Sequence, residues 1–266
     1  MNVPASTASA IVLRDVGKRY ARGPVALQSV SFEVGAREFV SLLGPSGCGK
    51  STVLRLVAGL DSPSGGHIES PALVGARTGR AADTAFVFQD PTLMPWASVF
   101  DNVWLPLRLA GQSRIDAARD VRRVLASVGL AEFETAFPAE LSGGMRMRAS
   151  IARALITRPR VLLMDEPFAA LDEISRQRLN ADLLAWWQST ALAVLFVTHS
   201  VFEAVFLSER VLVMDARPGR VVAEVVINEP APRTSEFRTS LRYAQACREV
   251  SLALEADQSA QNGIGT

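Results

Sequence analysis

A run of eight residues near position 50 has the composition of a phosphate-binding loop. The pattern G-x-x-x-x-G-K-[ST] is met by Gly44, Pro45, Ser46, Gly47, Cys48, Gly49, Lys50 and Ser51. Glycines let successive backbone N–H groups turn inward around an anion. Lys50 supplies a positive charge for the β- and γ-phosphates, and the Ser51 hydroxyl is a ligand for Mg²⁺. This run, together with the next residue, Thr52, predicts a site for a nucleoside triphosphate with Mg²⁺.

The segments on either side of this loop are those that a phosphate loop requires. Residues 40–43 are mainly apolar and predict a strand, and residues 51–60 predict a helix. The N-terminus of that helix adds the positive end of its dipole to the site. A chance glycine-rich turn has no reason to lie between a strand and a helix, so we favour the phosphate loop.

Two adjacent carboxylates follow a second apolar run. Residues 161–164 are all apolar, which is typical of a parallel strand covered on both faces. Ligands of such sheets bind beyond the carboxyl ends of the strands, and Asp165 and Glu166 lie at that end. We expect Asp165 to hold the Mg²⁺ shell through water, and Glu166 to polarise or deprotonate the attacking water.

A second glycine turn begins a helix further along the chain. Ser142 is a favourable N-cap for residues 145–155, and Gly143 and Gly144 permit close approach of the backbone. This turn has no lysine, no metal ligand and no group that could activate water. It therefore predicts a second anion-binding clamp that is not a complete nucleotide site.

In this order the three motifs resemble those of the ATPase subunit of an ATP-binding-cassette (ABC) transporter, over about residues 11–226. The resemblance implies an α/β fold, a P-loop NTPase cassette with a mixed-sheet core, an antiparallel β subdomain and a helical subdomain that carries the signature turn. The expected organisation is a flexible N-terminus (1–10), the cassette (11–230, with the helical subdomain at about 97–158), a C-terminal helix (231–254) and a disordered tail (255–266).

Four single residues match the family by the same resemblance. Gln89 matches the glutamine that touches Mg²⁺ and senses the permease, and Asp172 matches the aspartate that communicates between two ATP sites. His199, after the apolar run 193–198, matches the histidine that contacts the γ-phosphate. Tyr20 matches the aromatic residue that stacks on adenine.

The resemblance also implies partners. In the family, the clamp of one subunit closes on ATP held by a second copy arranged head to tail. Residues 91–100 match the groove that receives a multispanning permease, although Trp96 could instead pack inward under the helices. Met145 replaces the usual glutamine, and with the tight turn 215–221 it resembles importers of nitrate, sulfonates, taurine and pyrimidine-type compounds. Such importers work at the cytoplasmic face of the membrane and are served by a separate solute-binding protein.

Composition argues against several other classes of protein. The net charge of +1 argues against a nucleic-acid partner, and no apolar run reaches the length that spans a bilayer. The first seven residues do not read as a signal peptide, and two cysteines suit a reducing cytosol. The glycine-rich segment 64–67 predicts a hairpin loop with the His67 side chain in solvent. Apolar residues recur at helical spacing from Ala117 to Val128 and predict a helix that packs in a core.

Other functions remain open at this stage. A soluble ABC-type ATPase without a permease would keep every motif. A P-loop kinase would have no use for residues 141–144, and an inactive cassette would be expected to lose Glu166 or His199.

Overall fold

The computed structural model describes residues 9–21, 23–78, 83–190, 192–216, 218–230 and 233–262. Its strands are β1 (Ser9–Arg19), β2 (Val25–Gly35), β3 (Phe39–Leu43), β4 (Gly65–Glu69), β5 (Thr84–Val87), β6 (Val161–Asp165), β7 (Ala193–Thr198), β8 (Arg210–Asp215) and β9 (Arg220–Val226). Its helices are α1 (Lys50–Val57), α2 (Pro71–Thr78), α3 (Val99–Leu109), α4 (Arg114–Ser127), α5 (Gly143–Leu155), α6 (Glu173–Ser189), α7 (Val201–Leu207), α8 (Ser235–Arg238) and α9 (Leu241–Asn262).

A six-stranded sheet in the order β5-β6-β7-β3-β8-β9 forms the centre of the fold. The first five strands run parallel, and β9 pairs antiparallel with β8. Strands β3, β6 and β7 are buried almost throughout, as their continuous apolar sequences predict. Because their carboxyl ends lie at one edge, the phosphate loop, Asp165 and His199 follow adjacent strands at that edge.

A three-stranded antiparallel sheet, β2-β1-β4, covers one face of the central sheet together with α1. The predicted antiparallel strands before the phosphate loop are therefore present. Helix α1 ends earlier than predicted, since Ala58 is its C-cap and Gly59 follows in the left-handed conformation (φ 68°). His67 is exposed as predicted, but it lies within β4 and not in a hairpin loop. Pairing of β4 with β1 extends the chain through this glycine-rich segment.

The opposite face of the central sheet is covered by helices α5, α6, α7, α8 and α9. A separate apolar cluster holds α3, α4 and α5 together and confirms the predicted helical stripe, because Ala117, Val121, Leu125 and Val128 are all buried in it. Gly129 follows in the left-handed conformation (φ 72°) that commonly ends a helix.

The C-terminal segment differs from the prediction. Two helices separated at Thr239 replace the single helix, and α9 continues to Asn262. Residues 255–262 contain good helix formers and neither proline nor glycine, so the helix extends through the segment predicted to be disordered. Residues 263–266, and residues 1–8 of the predicted flexible N-terminus, lie outside the described residues, and Ser9 and Ala10 belong to β1.

Within the described ranges, no helix combines the length and the low polarity needed to cross a bilayer.

Candidate functional site

The phosphate loop connects β3 to α1 and depends on glycines in different ways. Gly47 and Gly49 have positive φ angles of 79° and 100°, which L side chains rarely adopt. Gly44 lies so close to the next strand that a Cβ atom there would be 2.5 Å from the Met214 carbonyl oxygen. These positions therefore require glycine for backbone geometry as well as for access to phosphate.

Lys50 lies inside the loop and is only 4% exposed. Its Nζ donates hydrogen bonds to the carbonyl oxygens of Gly44 (2.8 Å) and Pro45 (3.0 Å). The Glu166 Oε1 atom lies 3.6 Å from the same Nζ. The ammonium group is thus held at the centre of the loop, where an anion would meet it. The neighbouring Cys48 is buried, and burial raises the pKa of its thiol.

The predicted Mg²⁺ ligands Ser51 and Asp165 lie together. The Ser51 hydroxyl donates to Asp165 Oδ1 at 2.9 Å, and burial raises the pKa of the Asp165 carboxyl. A hydroxyl and a carboxylate are hard oxygen ligands of the kind that Mg²⁺ uses beside phosphate oxygens and water, so this donor set fits the ion. Gln89 is exposed, two residues after β5. No group of three His, Cys, Asp or Glu side chains forms a metal cage in the described ranges.

Glu166 connects Lys50 with His199. Its Oε2 atom lies 2.9 Å from His199 Nδ1, while Oε1 faces Lys50. The backbone of Glu166 adopts φ 43°, and its N–H donates to the Val197 carbonyl oxygen at 3.0 Å. A non-glycine residue in this conformation is strained, and such strain concentrates at functional sites. The strand ends thus place a carboxylate, an imidazole and an ammonium group in one row.

The signature turn forms a regular helix start. The Ser142 hydroxyl accepts a hydrogen bond from the Met145 N–H at 3.3 Å, as an N-cap does. A Cβ atom at Gly143 or Gly144 would make only ordinary contacts, at 3.4 and 3.8 Å. Packing in this chain therefore does not require these two glycines. Among the described contacts, no hydrogen bond or ion pair joins residues 142–144 to the phosphate loop.

Two further predicted residues lie at the ends of elements. Asp172 is the N-cap of α6, and the hydrogen bond from the Ser175 N–H holds the pKa of its carboxyl below the usual range. Tyr20 follows β1 and is partly exposed, with Lys18 Nζ 4.8 Å from the centre of its ring. The roles assigned to these residues stay predictions.

The loop between β5 and α3 exposes Trp96. Its exposed fraction is 77%, so the interpretation that it packs inward is wrong. Sequence reasoning missed Asn102, which is fully buried and holds this loop: its side chain accepts from the Met94 N–H and donates to the carbonyl oxygens of Met94, Ala97 and Ser98. A single asparagine in a helix carries no sequence signal for this role. Glu203 was also missed, although a carboxylate within the apolar helix α7 could have indicated a buried group.

Comparison with known proteins agrees with this geometry. A family model described as "ABC transporter" matches residues 27–169. The taurine import ATP-binding protein TauB of Rhizobium johnstonii is 51% identical over 205 residues, covering 77% of this chain and 78% of that protein. The nitrate import ATP-binding protein NrtD of Synechocystis sp. is 41% identical over 251 residues, covering 92% of each chain.

Solved structures give the same result. The ATP-binding cassette MJ0796, solved as a dimer in a post-hydrolysis state bound to ADP and Pi, superposes with a TM-score of 0.71 and 30% identity. That match covers 83% of this chain and all of MJ0796. The predicted α/β cassette fold, with a mixed sheet, an antiparallel sheet and a helical part, is confirmed. This chain therefore belongs to the ABC transporter family, as one of its ATP-binding ATPase cassettes.

Proposed function

We propose that this chain is the ATP-hydrolysing subunit of an importer for a small solute of the sulfonate or nitrate type. The observation that carries the proposal is the extended similarity to import ATP-binding proteins, which reaches 51% identity with the taurine protein of R. johnstonii. The site supports the chemistry, since Lys50, Glu166 and His199 lie in contact at the strand ends. Taurine carries a sulfonate group and nitrate is itself an oxyanion, so the two relatives both favour a small solute with a negatively charged oxygen-rich group.

Several residues of one chain have distinct roles in phosphoryl transfer. Lys50 and the loop N–H groups bind and orient the β- and γ-phosphates. Ser51, Asp165 and Gln89 would hold Mg²⁺, which when bound neutralises charge on the phosphate oxygens. A carboxylate oxygen of Glu166 accepts the proton of the attacking water. His199 Nδ1 orients that carboxylate through the 2.9 Å contact, and its ring would contact the γ-phosphate.

A second copy of the chain completes the site in this proposal. Among the described contacts, no hydrogen bond or ion pair joins Ser142, Gly143 or Gly144 to the phosphate loop of their own chain, and packing does not require the glycines. An exposed helix N-terminus with accessible N–H groups suits the γ-phosphate of a nucleotide held by a partner. Head-to-tail pairing would supply one clamp to each of two ATP sites, and Asp172, beside the clamp helix, would lie near both.

The loop with Trp96 is the proposed surface for the membrane-spanning subunits. Tryptophan is enriched among the residues that contribute most binding energy at interfaces, and Asn102 fixes the loop that exposes Trp96. Binding there would place the chain at the cytoplasmic face of the membrane. A solute-binding protein on the other side would deliver the solute to the complex.

The test is purification of the tagged chain from membranes in mild detergent, followed by mass identification of the proteins that accompany it. We expect a highly apolar multispanning subunit. Uptake of radiolabelled taurine and nitrate is then measured in cells with and without the chain, and one of the two should be lost with it. Purification with soluble proteins alone, with both uptake rates unchanged, would favour an ABC-type ATPase without a permease.

A further inference from the structure

A buried carboxylate lies directly behind the loop that carries His199. Glu203, on α7, is 8% exposed, and its Oε2 atom accepts a hydrogen bond from the Thr198 hydroxyl at 2.5 Å. The same hydroxyl accepts a hydrogen bond from the Ser200 N–H at 3.0 Å. The residues before and after His199 are therefore both tied, directly or through Thr198, to Glu203.

The other side of Glu203 faces the helix that begins at Asp172. Arg176 of α6 lies with Nε 3.8 Å from Glu203 Oε1. Its Nη2 donates to the Leu171 carbonyl oxygen at 2.9 Å, and Leu171 directly precedes Asp172. One guanidinium group therefore touches both the loop of Asp172 and the carboxylate behind His199.

Arg176 and Glu203 face each other with opposite charges, but no hydrogen bond joins them among the described contacts. At 3.8 Å the Nε atom is beyond normal hydrogen-bond distance, and this atom is buried without a hydrogen-bond partner in the described contacts. A buried donor is favoured when it is paired. A shift of less than about 1 Å between α6 and α7 would pair it with Glu203, and this shift would give the link a second, tighter arrangement.

The buried position of the Glu203 carboxylate favours a cationic partner. Burial raises the pKa of its carboxyl, while the Thr198 hydrogen bond and the charges of Arg176 and His199 oppose that rise. Glu173 acts in the same direction as burial. A buried carboxylate without a cation nearby is costly, so Arg176 has an electrostatic role here in addition to its bond to Leu171.

We propose that Arg176 and Glu203 are positioning residues that couple the loop carrying Asp172 to the loop carrying His199. A movement of one loop shifts the guanidinium group, and the carboxylate transmits this shift to the Thr198–Ser200 segment. The inference rests on the proposed function, because it adds a link between two loops of the ATPase site. In a head-to-tail dimer, the link would let contacts made at Asp172 change the placement of His199.

A double-mutant cycle on ATP hydrolysis by the full chain tests the link. Glu203→Gln keeps an acceptor for Thr198 and removes the charge, and Arg176→Gln removes the cation. We expect each single variant to lower kcat about tenfold, with the KM for ATP within about twofold because the phosphate loop is untouched. The double variant should be no slower than the slower single variant, since both changes break one link.

Arg178→Gln is the matched control, because Arg178 is an exposed arginine on the same helix, and its kcat should stay at the wild-type value. A hundredfold loss of kcat in the double variant, the product of the two single effects, would overturn the coupling. Loss confined to KM would do the same.

A further variant and a folding measurement distinguish loss of the link from loss of the fold. Thr198→Val keeps the shape of the side chain and removes the hydroxyl that donates to Glu203, so its kcat should also fall, and it should not fall further when combined with Arg176→Gln. Thermal unfolding of each variant identifies those that fold. A wild-type chain without hydrolysis would contradict the proposed function itself, whereas an active wild type with independent effects contradicts only the coupling.

Discussion

At the scale of single residues, the chemistry depends on Glu166. Its carboxylate lies between the Lys50 ammonium and the His199 ring, and its backbone occupies a strained conformation with φ 43°. The role of Glu166 therefore depends on the charge and the position of its two carboxylate oxygens.

Glu166→Gln should therefore abolish turnover while sparing ATP binding. The amide keeps the shape of the side chain but is a very weak base, so we expect kcat to fall by about 10²–10⁴-fold. The dissociation constant for ATP, measured by nucleotide fluorescence, should change by less than about threefold, since Lys50 is intact. Glu69→Gln, at an exposed carboxylate on β4, is the control. Undiminished hydrolysis in the Glu166 variant would remove this residue from its role.

Asp165 should limit the stability of the nucleotide-free chain. Burial raises the pKa of its carboxyl in the folded state, so ionisation at neutral pH opposes folding, whereas below the unfolded-state pKa both states are protonated and the penalty is absent. Asp165→Asn retains an acceptor for the Ser51 hydroxyl. Its unfolding temperature at pH 7–8 should exceed the wild-type value by on the order of 2 °C, and the difference should vanish at about pH 3, below the unfolded-state pKa of an aspartate. Equal unfolding temperatures at all pH values would contradict this.

At the scale of elements, the β8–β9 hairpin supports the phosphate loop from the side. The Gly219 N–H donates to the Ala26 carbonyl oxygen at 3.0 Å, and its own carbonyl oxygen accepts from the Gln28 N–H at 2.9 Å. A Cβ atom at Gly219 would lie 2.1 Å from the Cys48 carbonyl oxygen. The hairpin thus connects β2 of the antiparallel sheet to the loop that binds phosphate.

Gly219→Ala should consequently weaken ATP binding. The added methyl group must displace backbone of the phosphate loop, an overpacking change that costs about 1–3 kcal/mol. We expect the KM for ATP to rise about tenfold, with a parallel loss of stability in urea. Gly65→Ala is the matched control, because a Cβ atom there meets nothing within 4 Å. A Gly219→Ala chain with normal KM would show that the loop tolerates this displacement.

The elements also indicate what sequence could predict. The phosphate loop and the strands before Asp165 and His199 were predictable because short apolar runs and glycine spacing specify them locally. The extension of α9 to Asn262 is not predictable in this way, since a polar composition is typical of both a disordered tail and an exposed helix. The contact between Arg176 and Glu203 joins residues 27 positions apart on two helices, and the exposure of Trp96 depends on how Asn102 holds its loop. Both depend on tertiary packing, which periodicity does not encode.

At the scale of the whole molecule, Trp96 should matter only in the transport complex. The side chain is exposed, so Trp96→Ala leaves no cavity, and the isolated chain should keep its stability and its basal ATPase rate. In the assembled complex, solute-dependent stimulation of ATPase should fall at least tenfold, as for an interface anchor. Leu252→Ala, at another exposed apolar residue, is the control. Unchanged stimulation would show that Trp96 is not an anchor of the interface with the membrane-spanning subunits.

The last prediction concerns the two halves of each ATP site. If the clamp of one chain completes the phosphate loop of another, two inactive variants can restore each other. Lys50→Ala disables the loop half. Gly144→Asp disables the clamp half, because a carboxylate repels the γ-phosphate while remaining favourable in the first turn of α5. Each variant alone should be inactive.

An equal mixture of these two variants should regain about a quarter of the wild-type ATPase rate, since half of the dimers are mixed and each has one intact site of two. Mixing Lys50→Ala with Glu166→Gln is the matched control. Both changes lie in the loop half, so no mixed dimer has an intact site and no activity should return. Recovery only in the first mixture would mean that the site is built from two chains. No recovery in either mixture would mean that each chain completes its own site, and the exposed clamp would then need another explanation.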